Sequence, residues 1–297
     1  MKTWTDREER GSTWLIRLIV WLARTMGRSL CRALLYPIVA YFALTDPMAR
    51  RASAEFLQAA TQRPARLRDV MAHMRCFAAT LLDRVYMAAG DFGRFDVTIV
   101  GLPLLDQALA AGRGCLLLGS HLGSFDFMML VQRAMDDRHR HVSFLMRVDP
   151  RARLRQITGI DDRSLNLIPI GRPDSFLRAH EALAKGGMVG VLADRVYKSP
   201  QLPVTFLGRA TVMPIAAHVL AARSGAPAVM CFGLYEGDNR YRIEFVEFGP
   251  TAPPASRGAA LQPFVDRYAA ILETYARRYP LNWFNFYPFW TPLEERP

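Results

Sequence analysis

Seven short runs set the limits on this fold: FDVTIVG, CLLLGS, HVSFLMRV, LNLIPI, MVGVLAD, APAVMCFGLYE and YRIEFVEFG. CLLLGS and MVGVLAD are apolar nearly end to end, which marks strands buried on both faces. Helical patterns stand between the runs. LPLLDQALAAGRG closes on glycine, DSFLRAHEALAKGG follows LNLIPI, and PIAAHVLAARSG carries Pro214 near its first turn and Gly225 past its end. Strands that alternate with helices predict an α/β fold, a mixed and largely parallel sheet covered by helices. GDN between the last two runs reads as a hairpin turn. A further helix is expected from Leu261 to Tyr279, ahead of the aromatic stretch YPLNWFNFYPFW.

The amino-terminal third differs. TWLIRLIVWLARTMGRSLCRALLYPIVAYFAL, Thr13 to Leu44, is strongly apolar but is cut by Arg17, Arg24, Arg28 and Arg32. No uninterrupted run reaches the roughly 18–20 residues of a simple spanning helix. At about 100° per residue the first three arginines fall within about 40° of one another, and Arg32 is not far off. That spacing predicts an interfacial helix with arginines toward lipid phosphates. Pro37 is expected to break or kink a second apolar piece, Ala33 to Leu44. Packing of the same helices onto the protein's own core is the competing reading. From Ala52 to Ala89 the pattern is helical. The composition shifts near residues 45–50, so residues 1–48 are expected as membrane-associated helices and 49–297 as an α/β domain.

With 38 basic and 27 acidic residues the net charge is +11, which favours an acidic partner: nucleic acid, anionic lipid or an acidic carrier protein. The cysteines, Cys31, Cys76, Cys115 and Cys231, have no metal-ligand spacing and read as small hydrophobes. The other histidines also show no ligand spacing, so no metal is expected.

GSHLGSFD, Gly119 to Asp126, sets two polar residues between apolar runs. In one continuous helix, residues five apart point about 140° from each other. A strand end followed by a turn at Gly123 instead lets Asp126, in the first turn of a helix, reach back to His121. The carboxylate then orients an imidazole base. A helix cap beside a satisfied, partly buried histidine is the alternative. Ser120 and Ser124 are not in a Gly-x-Ser-x-Gly nucleophile elbow.

HLGSFD closely resembles the H-x4-D/E motif of the glycerolipid and lipid A acyltransferase superfamily, and the likeness extends along nearly the whole chain. SFLMRVDPRARLRQI is similar to the arginine-bearing second block of the late lipid A acyltransferases. GVLADRVYKSPQLPVTFLGRATVMPIAAHVLAARSGAPAV resembles their third and fourth blocks. Many lipid A enzymes carry glutamate where this chain has Asp126. ERGS near the start and NWFNFYPFW near the end look more like acyltransferases associated with aryl polyene pigment clusters or amino-acid-linked lipids.

The resemblance implies transfer of an acyl group from an acyl carrier protein thioester, or acyl-CoA, to a hydroxyl of a lipid or glycolipid acceptor. No other cofactor and no nucleic acid are implied. The implied location is the cytoplasmic face of a bacterial inner membrane, against its anionic surface. His121 would deprotonate the acceptor and Asp126 would orient His121. Arg147 would bind a phosphate or stabilise the oxyanion. Gly123 and Ser124, beside His121, would contribute to substrate binding. Asp194 and Arg195, after a buried strand, would position substrate or form an internal ion pair, and Gly208 and Arg209 in FLGR would line a substrate groove. A lipid or thioester hydrolase and a non-enzymatic lipid-binding protein are the competing functions.

Overall fold

The computed structural model describes residues 21, 25, 27–88, 90–124, 142–146, 166–195 and 199–290. These residues divide into two compact units.

The first unit takes the described residues up to 95 together with 276–290. Its helices are α1 (Arg28–Thr45), α2 (Pro47–Thr61) and α3 (Leu67–Ala88). Cys31, Leu35, Val39 and Ala43 recur every fourth residue and form the buried stripe of α1. Pro37 does not break this helix as expected; it lies within it, exposed, as is Ala33 one turn earlier. A carbonyl that loses its helical partner to proline is tolerated best on the solvent side, where water can bond it.

Arg28 and Arg32 also depart from expectation. Arg28 makes a two-pronged bond to Asp83 on α3 at 2.8 and 2.9 Å, and Arg32 Nη2 reaches the same carboxylate at 3.1 Å. Asp83 is fully buried, so its charge needs these donors and draws both arginines inward. Arg17 and Arg24 lie outside the described residues.

Across the helical pattern expected for residues 52–89, the described residues form two helices. Gln62 turns left-handed at φ 56° just past α2, and Pro64 follows before α3 begins. Asp46 opens α2 by accepting the Ala49 amide at 3.0 Å. His73 is fully buried on α3. Its Nε2 lies 2.9 Å from the Trp283 carbonyl and its Nδ1 2.8 Å from Ser53 Oγ. A carbonyl only accepts, so Nε2 carries the hydrogen and Ser53 donates to Nδ1.

The second unit comprises described residues between 96 and 275 and holds the α/β architecture. Its strands are β1 (Asp96–Val100), β2 (Cys115–Gly119), β3 (Val142–Met146), β4 (Asn166–Pro169), β5 (Met188–Leu192), β6 (Gln201–Phe206), β7 (Arg209–Pro214), β8 (Ala228–Gly237) and β9 (Arg240–Glu247). Helices α4 (Leu102–Ala110), α5 (Ser175–Ala184) and α6 (Ala216–Ser224) lie between them, and α7 (Gln262–Arg278) follows.

Seven strands form one sheet in the order β1-β9-β8-β2-β5-β3-β4. Every neighbouring pair is parallel except β8 and β9, joined at the expected turn through Asp238 and Asn239. All five residues of β2 are buried, as its apolar run requires. The hairpin β6–β7 forms a separate two-stranded sheet that the sequence pattern does not announce.

Candidate active site

His121 and Asp194 meet because β2 and β5 are parallel neighbours in register. The ladder pairs Gly119 with Leu192, and each polar residue stands two positions beyond that last pair. Ligand sites of open α/β sheets lie at this carboxyl end of the strands. His121 Nδ1 is 2.8 Å from Asp194 Oδ1, and the His121 backbone N–H donates to Oδ2 at 2.9 Å. One carboxylate therefore holds both the main chain and the ring of His121. Asp194 is 1% exposed, whereas the His121 side chain is 23% exposed.

Burial alone would raise the Asp194 pKa. The facing His121 charge, the bonds from its ring and backbone, and the nearby Arg195 outweigh it and bring the carboxyl down to about 2. An ionised carboxylate only accepts hydrogen bonds, so Nδ1 carries the ring hydrogen and a neutral imidazole takes up its proton at Nε2.

The loop after β2 is shaped by close approach to β8. From Leu118 to Gly123 the chain takes five steps while β8 takes three, from Met230 to Gly233, so the extra length bows out around His121. Gly123 sits at φ +85°, and a Cβ there would stand 2.2 Å from the Gly233 oxygen. Only glycine fits such a place. Ser124 is buried and donates its backbone N–H to the same oxygen at 2.7 Å. The buried Ser120 hydroxyl accepts from the Leu122 amide at 3.2 Å and stabilises the turn. At Gly123 the chain still runs parallel to β8 through the bridge to Gly233, and the helix expected beyond the turn lies outside the described residues.

Asp126 and Arg147 lie outside the described residues. Arg195 follows Asp194 directly and is half-buried. Gly208 occupies the β6–β7 turn, and Arg209 opens β7 opposite Phe206. Leu207 and Gly208 have φ of 52° and 76°, the two-residue left-handed hairpin turn. The Leu207 amide bonds Glu273 Oε2 at 2.6 Å, which secures the tip to α7.

Sequence reasoning assigns Asp194 to substrate and misses its pairing with His121. The usable signal is that GSH and LAD each place a polar residue two positions past an apolar strand.

The cysteines are buried and unbridged, and burial pushes the Cys115 thiol up to about 12, far from a nucleophilic thiolate. Among the described residues no three His, Cys, Asp or Glu groups gather to hold a metal ion. A cavity of about 490 Å³ is lined by Ser143, Asn166 and Met188 near the amino ends of β3, β4 and β5, the opposite end of the sheet from His121.

A buried carboxylate thus holds an imidazole at the carboxyl end of a parallel sheet, an arrangement chemically suited to moving a proton. The chain belongs to the bacterial lipid A biosynthesis acyltransferase family, whose profile matches residues 3–291. It is similar to the phosphatidylinositol mannoside acyltransferase of Mycolicibacterium smegmatis, at 25% identity over 228 residues, 74% of this chain and 72% of that one. The protein of the same description from Mycobacterium tuberculosis is 28% identical over 207 residues, 66% of this chain and 61% of that one.

Proposed function

We propose that this acyltransferase moves a fatty acyl or related polyene acyl group from an acyl carrier protein thioester, or from acyl-CoA, to a hydroxyl of a lipid or glycolipid, with His121 as general base. The observation that carries this reading is the His121–Asp194 pair at the ends of β2 and β5. His121 takes the acceptor hydroxyl's proton at Nε2 as that oxygen attacks the thioester carbonyl. The tetrahedral intermediate collapses with cleavage of the C–S bond, and the proton leaves with the thiol. Asp194 holds Nδ1–H and stabilises the imidazolium formed along the way. In this reading Asp194 takes the orienting role at Nδ1 that the motif alone gives to Asp126, and Asp126 and Arg147 act on substrate.

The mycobacterial relatives support a mannosylated phosphoinositide or a similar sugar lipid as acceptor. The +11 charge suits the anionic donors and a membrane surface of the same sign. No described helix is long and apolar enough to cross a membrane. The outer face of α1 exposes Leu30, Leu34, Tyr41 and Leu44 at steps of four, seven and three residues, which supports interfacial attachment at the cytoplasmic face of an inner membrane.

The test supplies purified protein with radiolabelled acyl carrier protein or acyl-CoA and a panel of lysolipid and sugar-lipid acceptors. Acceptor-dependent transfer is expected from the native chain and not from His121→Ala. Transfer that survives this substitution overturns the base assignment. Free acid released without any acceptor dependence points to a hydrolase.

A further inference from the structure

The Gly119 carbonyl is a junction. It ends β2 two residues before His121, and it accepts the amide of Ala193, just past β5 and one residue before Asp194, at 3.1 Å. A second donor reaches the same oxygen from another element. Tyr268, on α7 and fully buried, donates its hydroxyl to Gly119 O at 2.8 Å. Its ring is held in place by edge contact with His218 at 6.0 Å between centroids. Val265, Tyr268, Ala269 and Leu272 form the buried stripe of α7, so the phenol is delivered to the sheet by a helix packed along most of its length.

We infer that Tyr268 is a positioning residue for the acyl-transfer site: its hydroxyl fixes the backbone from which His121 and Asp194 both project. The inference rests on the reading of His121 as the base. The phenol suits this task because burial, and then the Asp194 charge, raise its pKa well above the ordinary tyrosine value, although the Ala193 amide acts the other way. It stays a protonated donor at every pH the enzyme meets. Without it, Gly119 O keeps one donor, and the loop that carries His121 gains freedom against Asp194. A base displaced by a fraction of an ångström loses turnover, whereas acceptor and donor binding elsewhere are unaffected.

The test is Tyr268→Phe, which keeps the ring and removes the donor. About a tenfold loss of kcat with KM unchanged is expected, the size of one well-formed hydrogen bond. Nitrogen-15 spectra of histidine-labelled protein should show the His121 ring signals moved from their wild-type positions, with those of His73 unmoved. Para-aminophenylalanine at 268 restores a weaker donor at the same place and should recover most of the loss. Wild-type kcat and wild-type His121 signals in Tyr268→Phe overturn the inference, even where the melting temperature falls. If the phenylalanine chain does not fold, the para-amino chain decides: kcat reduced less than tenfold with altered His121 signals supports the role, and wild-type values of both overturn it. The spectra report independently of turnover. Failure of the native chain to transfer any acyl group would remove the base reading, whereas the spectra alone would decide whether Tyr268 sets the His121 ring.

Discussion

His73 and His121 each have a ring nitrogen 2.8 Å from an oxygen, yet the two units use the ring in opposite ways. In the helical unit both nitrogens of His73 are taken by Ser53 and the Trp283 carbonyl, and the ring has no surface. In the α/β unit an ionised carboxylate grips Nδ1 of His121, and the ring keeps part of its surface. A neutral hydroxyl and a carbonyl hold an imidazole as a structural link, and the carbonyl favours its cation too weakly to offset the burial. A buried carboxylate does stabilise it, and so equips the ring to take a proton. Burial makes the difference plain: it drives the His73 pKa down to about 4 despite the bond to Trp283.

The largest expected effect falls on the site. His121→Ala lowers transfer about a thousandfold, and Asp194→Asn lowers it about a hundredfold, both measured as single-turnover rates. His73→Phe leaves turnover per folded molecule intact; a comparable loss there would erase the distinction between the two rings.

Next in size are disruptions of buried geometry, read by denaturant or thermal unfolding. Asp83→Asn leaves two guanidinium groups facing a neutral amide and should cost about 3 kcal/mol. Gly123→Ala forces a methyl against the Gly233 oxygen and should cost about 2 kcal/mol or more, with loss of transfer as the loop shifts.

Acid should act on His73 in a defined window. Its folded pKa is about 4 against 6.5 unfolded, so between these values the unfolded chain binds more protons. The stability from a neutral His73 is therefore complete above pH 6.5 and declines as pH falls toward 4, by on the order of 3 kcal/mol. His218, also buried and also near 4, adds a decline of the same sign. Unfolding midpoints across this range should fall with acid, and His73→Phe should remove one histidine's share of that fall.

The smallest effect is expected at Ser120. Ser120→Ala removes the acceptor for the Leu122 amide and costs about 1 kcal/mol, with transfer changed by no more than about threefold. Abolition of activity would instead assign Ser120 a nucleophilic role.

The layered fold was legible because β2 and β5 are apolar along their whole length, and helical patterns that end near glycine stand between the strand runs. His121 and Gly123 stood out for the same reason, as a polar residue and a glycine at the edge of a buried run. The partner of His121 was not legible. It depends on β5 lying beside β2, and sheet order is decided by packing of the whole unit rather than by any local pattern. The β6–β7 hairpin was hidden because Leu207 occupies a left-handed turn position where asparagine or glycine is the usual signal. The arginines of α1 misled because their periodicity says which face they share, and a buried Asp83 more than fifty residues away decides that the face points inward. Tyr268 gave no signal at all, since a tyrosine in an amphipathic stripe reads as core.

The central claim is that Asp194 sets the protonation of His121, and the tautomer of that ring tests it most directly. Nitrogen-15 spectra of histidine-labelled protein at neutral pH should show His121 with its hydrogen on Nδ1 in the native chain. Asp194→Asn should shift the ring toward the Nε2–H form, because an amide can also donate to Nδ1. An Nε2–H ring in the native chain, or an unchanged ring in Asp194→Asn alongside a changed one in Asp126→Asn, would contradict the account.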